Sequence, residues 1–166
     1  MGGCYRNILV PVDGSRAALA AVSQAVFLAR DQNARLTLLT VEAPDAGVAI
    51  GMQPPGRGDA FERALREASR SIPGDVGVTT MLVKGEPGPT ILRVAAHGGY
   101  DLVVMGSHGH GRMYRALLGS VSERVLRDAE IPVLLVPQAA KTPTAAGEPN
   151  QEEPQARVGR WQTSPA

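Results

Sequence analysis

The stretch VVMGSHGHGRMYRALLGS, Val103 to Ser120, begins as an apolar strand and ends where a helix should start. Between the two lie glycines, histidines and arginines at spacings that suit an anion. Gly106 and Gly109 let the backbone turn sharply and bring amides close to a bulky group, because no Cβ intrudes. Gly119-Ser120 comes just before a predicted helix, whose first N–H groups lack partners and carry partial positive charge, a seat for phosphate. The hydroxyls of Ser120 and Ser122 can donate to phosphate oxygens there. Ser120 and Glu123 also spell an S-x-x-E capping box, in which Ser120 would serve its own helix instead. Far upstream, Pro11-Val12-Asp13 ends another apolar run. Asp13 can ligate Mg²⁺ or accept from a ribose, although an Asp before a Gly is more often a turn or cap residue than a ligand.

The other chemistry-bearing residues say less. His108 and His110 sit two apart with no evident third ligand and read as solvated loop histidines. His97 reads as structural, at a helix end. Arg112 and Arg115 are phosphate contacts or plain surface charge. Two familiar phosphate loops are excluded: there is no G-x-x-x-x-G-K-[ST], and no G-x-G-x-x-G follows a strand. A phospho-receiver would want clustered acids and a lysine at strand ends, where only Asp13 is well placed. A flavin carrier would want aromatics to stack on the ring, and aromatics make up only 4% of the chain.

The elements that must position these residues follow from periodicity. YRNILVPVD (Tyr5–Asp13) is a short apolar run ending in a turn, a buried strand. From Ser15, the residues Ala18, Leu19, Val22, Ala25, Val26 and Ala29 recur every three or four positions, one helical face. ARLTLLTVEAP is a second strand ending near Glu42. The Gly/Pro-rich Ala43–Gly58 is a connection, and Asp59–Ser71 a helix with Phe61, Leu65 and Ala68 on one side. A third strand spans Val76–Gly85. A short helix runs from Pro89 to about His97, with the proline tolerated in its first turn. YDLVVMGS is a fourth strand, followed by a helix over about Ser120–Asp128 and the strand Ile131–Pro137. Strands alternate with helices, and their apolar runs are nearly continuous, so both sheet faces should be covered. This predicts an α/β fold, an open five-stranded parallel sheet with helices on both faces.

The totals set bounds. At 166 residues the chain can hold one domain with a proper core. A formal net charge of +1 offers no basic stripe for nucleic acid. No apolar run approaches a membrane span. The start MGGCYRNILV has neither signal-peptide architecture nor, with Arg6 where Ser or Thr belongs, a myristoylation motif. One cysteine, Cys4, permits no internal disulfide and points to a reducing cytoplasm. Residues 138–166 differ from the rest. Val158 is their only Ile, Leu, Val or Phe, and Trp161 their only aromatic, among four prolines. Such a segment cannot offset its ordering entropy, so the expectation is a domain over 1–137 and a disordered, Pro-rich C-terminal tail over 138–166.

RNILVPVDGS and DLVVMGSHGHGRMYRALLGSVSERVLRDAEIPVLLVP resemble the opening strand and C-terminal signature of the universal stress protein family. Gly106, Gly109, Gly119 and Ser120 match the spacing G-x2-G-x9-G-[ST] of its ATP-binding members. The resemblance covers roughly Tyr5–Pro137. It implies sheet order 3-2-1-4-5, which puts Asp13 and Gly106 on adjacent strands. That agrees with the independent rule that open α/β sheets bind ligands where strand order reverses. It also implies roles. Pro11, Val12 and Val41 would line an adenine pocket, and Asp13 would lie near ribose, phosphates or a metal (Mg²⁺ or Mn²⁺). Met105 and Gly106 would contact the nucleoside, and Gly109, Gly119, Ser120, Val121 and Ser122 would surround the phosphates. ATP is the expected cofactor. No P-loop lysine and no base beside the glycines are evident, so binding with slow or no hydrolysis is expected rather than fast turnover. ATP would then act as a switch by ordering the loop from Gly106 to Gly119. The last strand, apolar and at a sheet edge, is a liability unless covered; relatives pair it across a two-fold axis, which implies a homodimer through Ile131–Pro137. The rival reading is a dimeric interaction module that binds no nucleotide and meets an unidentified protein partner.

Overall fold

The branched and aliphatic runs of the sequence become strands, and the segments with helical periodicity become helices, in strict alternation. The computed structural model describes residues 4–43, 57–108 and 118–137. In chain order the elements are β1 (Asn7–Pro11), α1 (Arg16–Gln32), β2 (Arg35–Glu42), α2 (Arg57–Arg70), β3 (Val78–Lys84), α3 (Pro87–His97), β4 (Leu102–Gly106), α4 (Ser120–Asp128) and β5 (Val133–Val136). All neighbouring strands are parallel, in the order β3-β2-β1-β4-β5. The expected fold and strand order both hold.

Strand alternation divides the core in two. Ile8, Val10, Leu36, Leu38 and Val104 pack beneath α1 and α2, against Ala21, Val22, Ala25 and Ala68. Leu9, Leu39, Val103 and Met105 pack on the opposite face, with Ile91 and Ala95 of α3 and Val125 of α4. With burial on both faces, each fully enclosed Leu or Ile contributes about 1.5–3 kcal/mol. At the amino end of the sheet, the Asp101 carboxylate accepts from Arg6 N–H at 2.8 Å and from Asn7 N–H at 3.2 Å. This fastens β1 to the start of β4.

Local chemistry sets the helix ends. Ser15 caps α1, its Oγ accepting from Ala18 N–H at 3.1 Å, and Asn33 ends it in the left-handed conformation, φ 53°. The expected α1 face is buried, Leu19 and Val26 only partly. Two starts fall earlier than expected. α3 begins at Pro87, because a proline at the first helical position loses no hydrogen bond and Glu86 stands extended before it. α2 begins at Arg57. β5 is shorter than Ile131–Pro137, since the flanking prolines bound the ladder. The connection 44–56, the loop 109–117 (with Gly109, His110, Gly111, Arg112 and Arg115) and the segment 138–166 lie outside the described residues.

Candidate functional site

The carboxyl ends of the strands part between β1 and β4, where the strand order reverses, and one residue shortens the pairing further. Along β1, Arg6 accepts from Arg35 of β2, and Val12 N–H donates to Leu39 of β2 at 2.8 Å. Even-numbered residues therefore bond toward β2, and Pro11 faces β4. Proline has no N–H to give. The β1–β4 pairing accordingly covers only Ile8–Leu102 and Leu9–Val103, against five residue pairs between β1 and β2. Beyond it opens a cleft of about 360 Å³.

One rim is the turn after β1. Asp13 Oδ1 accepts from Ser15 N–H at 2.9 Å, and Gly14 sits at φ 84°, a conformation that favours glycine. This turn carries Asp13 to the cleft and starts α1. The Val12 carbonyl accepts from the buried Thr40 hydroxyl at 2.9 Å. On β2, residues 35 and 39 bond toward β1. Val41, two further on, turns its N–H and C=O the same way, past the point where β1 has ended.

The other rim is β4 with the start of α4. Gly119 N–H donates to Ser107 O at 2.8 Å, closing the base of the glycine loop. The cap of α4 is Gly119, with no side-chain cap hydrogen bond, and Ser120 is the first helical residue. The S-x-x-E capping box therefore does not form; register is set by the Gly119–Ser107 bond, which places Ser120 one residue inside the helix. Glu123 N–H is the first to find an intrahelical acceptor, Gly119 O at 2.8 Å. The amides of Ser120, Val121 and Ser122 precede it, at the positive end of the helix. Ser120 is exposed. The Ser122 hydroxyl is buried and donates to Gly106 O at 2.8 Å.

Gly106 has a different reason to be glycine from the one expected. It is the last residue of β4, in a strand rather than a sharp turn. A Cβ there would stand 2.7 Å from the Ala17 carbonyl carbon and 2.8 Å from Ala17 Cβ. The first turn of α1 lies directly on it.

Of the residues expected at the site, Pro11, Val12, Asp13, Val41, Met105, Gly106, Gly119, Ser120, Val121 and Ser122 all line this one cleft. Gly109 lies outside the described residues. The cleft also takes in Ser15, Leu39, Pro87, Ile91 and His108. Pro87 and Ile91 are one helical turn apart on α3, a spacing visible in the sequence, but only the sheet order brings that face here. His108, expected to be solvated, lines the cleft with Nδ1 3.0 Å from Ser107 Oγ. His97 is the last residue of α3, with Nδ1 2.9 Å from Arg93 O. No cluster of three metal-ligating side chains occurs among the described residues. The arrangement is two-sided: Leu39, Val41, Ile91 and Met105 form an apolar slot, while Asp13, Ser15, Ser120 and the α4 amides make up a polar end.

Residues 4–137 match the universal stress protein family. The chain belongs to that family. A universal stress protein of Methanocaldococcus jannaschii is 30% identical over 146 residues, covering 82% of this chain and 85% of the relative. The universal stress protein UspA from Lactobacillus plantarum superposes with a TM-score of 0.65 at 28% identity, covering 81% of this chain and 99% of the other. A universal stress protein solved in complex with cAMP gives 0.63 at 28% identity, covering 82% and 100%. No helix among the described residues is long and apolar enough to cross a membrane.

Proposed function

We propose that this universal stress protein binds an adenine nucleotide in the β1–β4 cleft, in the manner of the ATP-binding members of the family, as a nucleotide-dependent regulatory protein with slow or no hydrolysis. The observation that carries the reading is the pairing of Asp13 with the first-turn amides of α4 across one cleft that also holds an apolar slot. The neighbour bound to cAMP supports it. The adenine ring occupies the slot between Val41, Met105 and Ile91, near Pro11 and Val12. Its amino group and ring nitrogen meet the Val41 C=O and N–H, a donor–acceptor pair that needs no polar side chain. Gly106 lies with Met105 beside the nucleoside, and Gly109, Gly119, Ser120, Val121 and Ser122 follow the phosphates, Ser122 through its amide.

ATP is the proposed ligand, with Mg²⁺ or Mn²⁺. The donor set fits a hard cation: one carboxylate, Asp13, with phosphate oxygens and waters completing the shell, the way Mg²⁺ is commonly held. The ion would supply charge neutralisation to the phosphates. Asp13, committed to the cation and to the Ser15 amide, is a poor base for activating water, and the other described lining residues supply no lysine. Slow hydrolysis follows.

β5 is an edge strand with Leu134 38% exposed, and Leu126 of the neighbouring α4 is 47% exposed. We propose homodimerisation through this edge, in the cytoplasm. The competing reading, a dimeric interaction module with a vestigial cleft, rests on the same exposed edge. Nucleotide extraction with mass spectrometry, and thermal shift with MgATP, AMP and cAMP, separate the two. Ligand at 100 times its Kd adds about 2.7 kcal/mol to stability. A purified protein that carries no nucleotide and shows no shift with any of the three refutes the nucleotide reading.

A further inference from the structure

We infer that Thr40 and Ser122 are positioning residues that hold the cleft open, each by donating a buried hydroxyl to a backbone carbonyl that the parted sheet leaves without a ladder partner. The claim extends the nucleotide reading and takes from it only the identity of the ligand.

The two carbonyls stand on opposite rims. In a sheet continued beyond β1, the Val12 carbonyl would accept from the Val41 amide, by the alternation that sends Val12 N–H to Leu39 O. It accepts instead from Thr40 Oγ1 at 2.9 Å. On β4, Val103 N–H and Ser107 N–H both bond toward β5, to Pro132 O and Val136 O. Gly106, of the opposite parity, therefore faces β1, where a continued ladder would offer the Asp13 amide. It accepts instead from Ser122 Oγ at 2.8 Å. Thr40 is 0% and Ser122 4% exposed. Each hydroxyl has one proton, and each has given it to a carbonyl.

An unsatisfied buried carbonyl is costly, and a sheet split by a proline would ordinarily recover the cost by closing up or by admitting water. Two hydroxyls placed one on β2 and one on α4 remove that incentive. They also tie the rims outward: Thr40 draws the aspartate turn toward β2, and Ser122 draws the first turn of α4 onto the end of β4. The separation between Asp13 and the α4 amides is thus fixed before any ligand arrives. Ser122 acts on the phosphate site through its hold on Gly106, and its hydroxyl is not a ligand.

The test uses the full chain with Thr40→Val and Ser122→Ala, and the hydroxyl-retaining Thr40→Ser and Ser122→Thr. Isothermal titration with MgATP and with cAMP, well below the melting transition, should give roughly three- to tenfold weaker binding for the first two, the scale of one net hydrogen bond. The conservative pair should return affinity to within about twofold of wild type. Amide exchange in the nucleotide-free protein should quicken at residues 12–14 in Thr40→Val and at 119–122 in Ser122→Ala, each without the other. Unchanged affinity in folded variants, or exchange that rises evenly over the whole sheet, overturns the proposal. If wild type binds neither nucleotide, the nucleotide reading fails, and the two local exchange patterns alone decide whether these hydroxyls hold the rims.

Discussion

Replacing Gly106 by alanine asks what that glycine is for. Its added Cβ would lie 2.7 Å from the Ala17 carbonyl carbon, 2.8 Å from Ala17 Cβ and 3.0 Å from Ala17 O. Two of these atoms are helix backbone, so no rotamer change relieves the contact. α1 must lift from β4, or β4 must bend away from a neighbour that is itself only 1% exposed. Overpacking of this kind costs about 1–3 kcal/mol. In a domain of this size each kcal/mol lowers Tm by roughly 3–5 °C. Urea denaturation of nucleotide-free protein should therefore show a lower midpoint at an unchanged m-value. Gly74→Ala is the control: nothing lies within 4 Å of its Cβ position, so the midpoint should hold or rise slightly. The lifted end of α1 carries Ser15 and, through it, Asp13, so nucleotide affinity should fall as well. A Gly106→Ala protein with wild-type midpoint and weakened nucleotide binding would refute the packing argument and return the residue to a ligand role.

Three further outcomes follow from the same structure. Gly119→Asp supplies a side-chain cap to α4, worth a few tenths of a kcal/mol, but sets a carboxylate against the anion seat; Tm should hold or rise while Kd for AMP rises at least about tenfold, and an unchanged Kd would count against phosphate at that helix start. Asp101→Ala removes the acceptor for Arg6 N–H and Asn7 N–H and should cost about 1 kcal/mol by urea denaturation, the order of one net hydrogen bond, because these exposed amides can turn to water. Arg30, hydrogen-bonded to Asp75 at 2.8 Å, holds that carboxyl below its usual range. A lowered folded-state pKa gives stability that is present above the unfolded value, about 3.9, and lost as pH falls through the folded one. The Tm advantage of wild type over Asp75→Asn should therefore be small and salt-sensitive at pH 6, shrink as pH falls past the unfolded value, and vanish once the carboxyl is protonated in the folded protein as well.

Strand and helix existence were readable in the sequence because the periods differ and each element is long enough to show one. The parallel arrangement was readable too, because runs such as LVVM carry no polar alternation. Strand order came from resemblance, not pattern: nothing local in β4 says that it inserts beside β1. The site was readable as far as it depends on glycine spacing and on strand ends. What escaped depends on contacts between distant segments. Gly106 is small because of Ala17, some ninety positions earlier, and Ser120 misses its cap because Ser107 fixes the loop's other end. Ile91 and Pro87 reach the cleft only through the sheet order. Thr40 looks like one more strand residue until the ladder beside it is seen to stop.

These contacts change how a glycine-and-serine signature should be weighed. Gly106 and Ser122 are both required by the fold, one to admit α1 and the other to satisfy a carbonyl of the split sheet. A protein that had lost its ligand would still need them, so their presence says little about binding. Ser120 is different. It is exposed at the first position of α4 and does not cap its helix, because Gly119 does. The amides beside it precede the first intrahelical hydrogen bond and face the same cleft. Asp13 is half-way between: its Oδ1 holds the turn, as any aspartate before a glycine can. The power to tell a binder from a vestige therefore sits mainly in Ser120 and the first α4 amides, which find no other hydrogen-bond partner among the described residues.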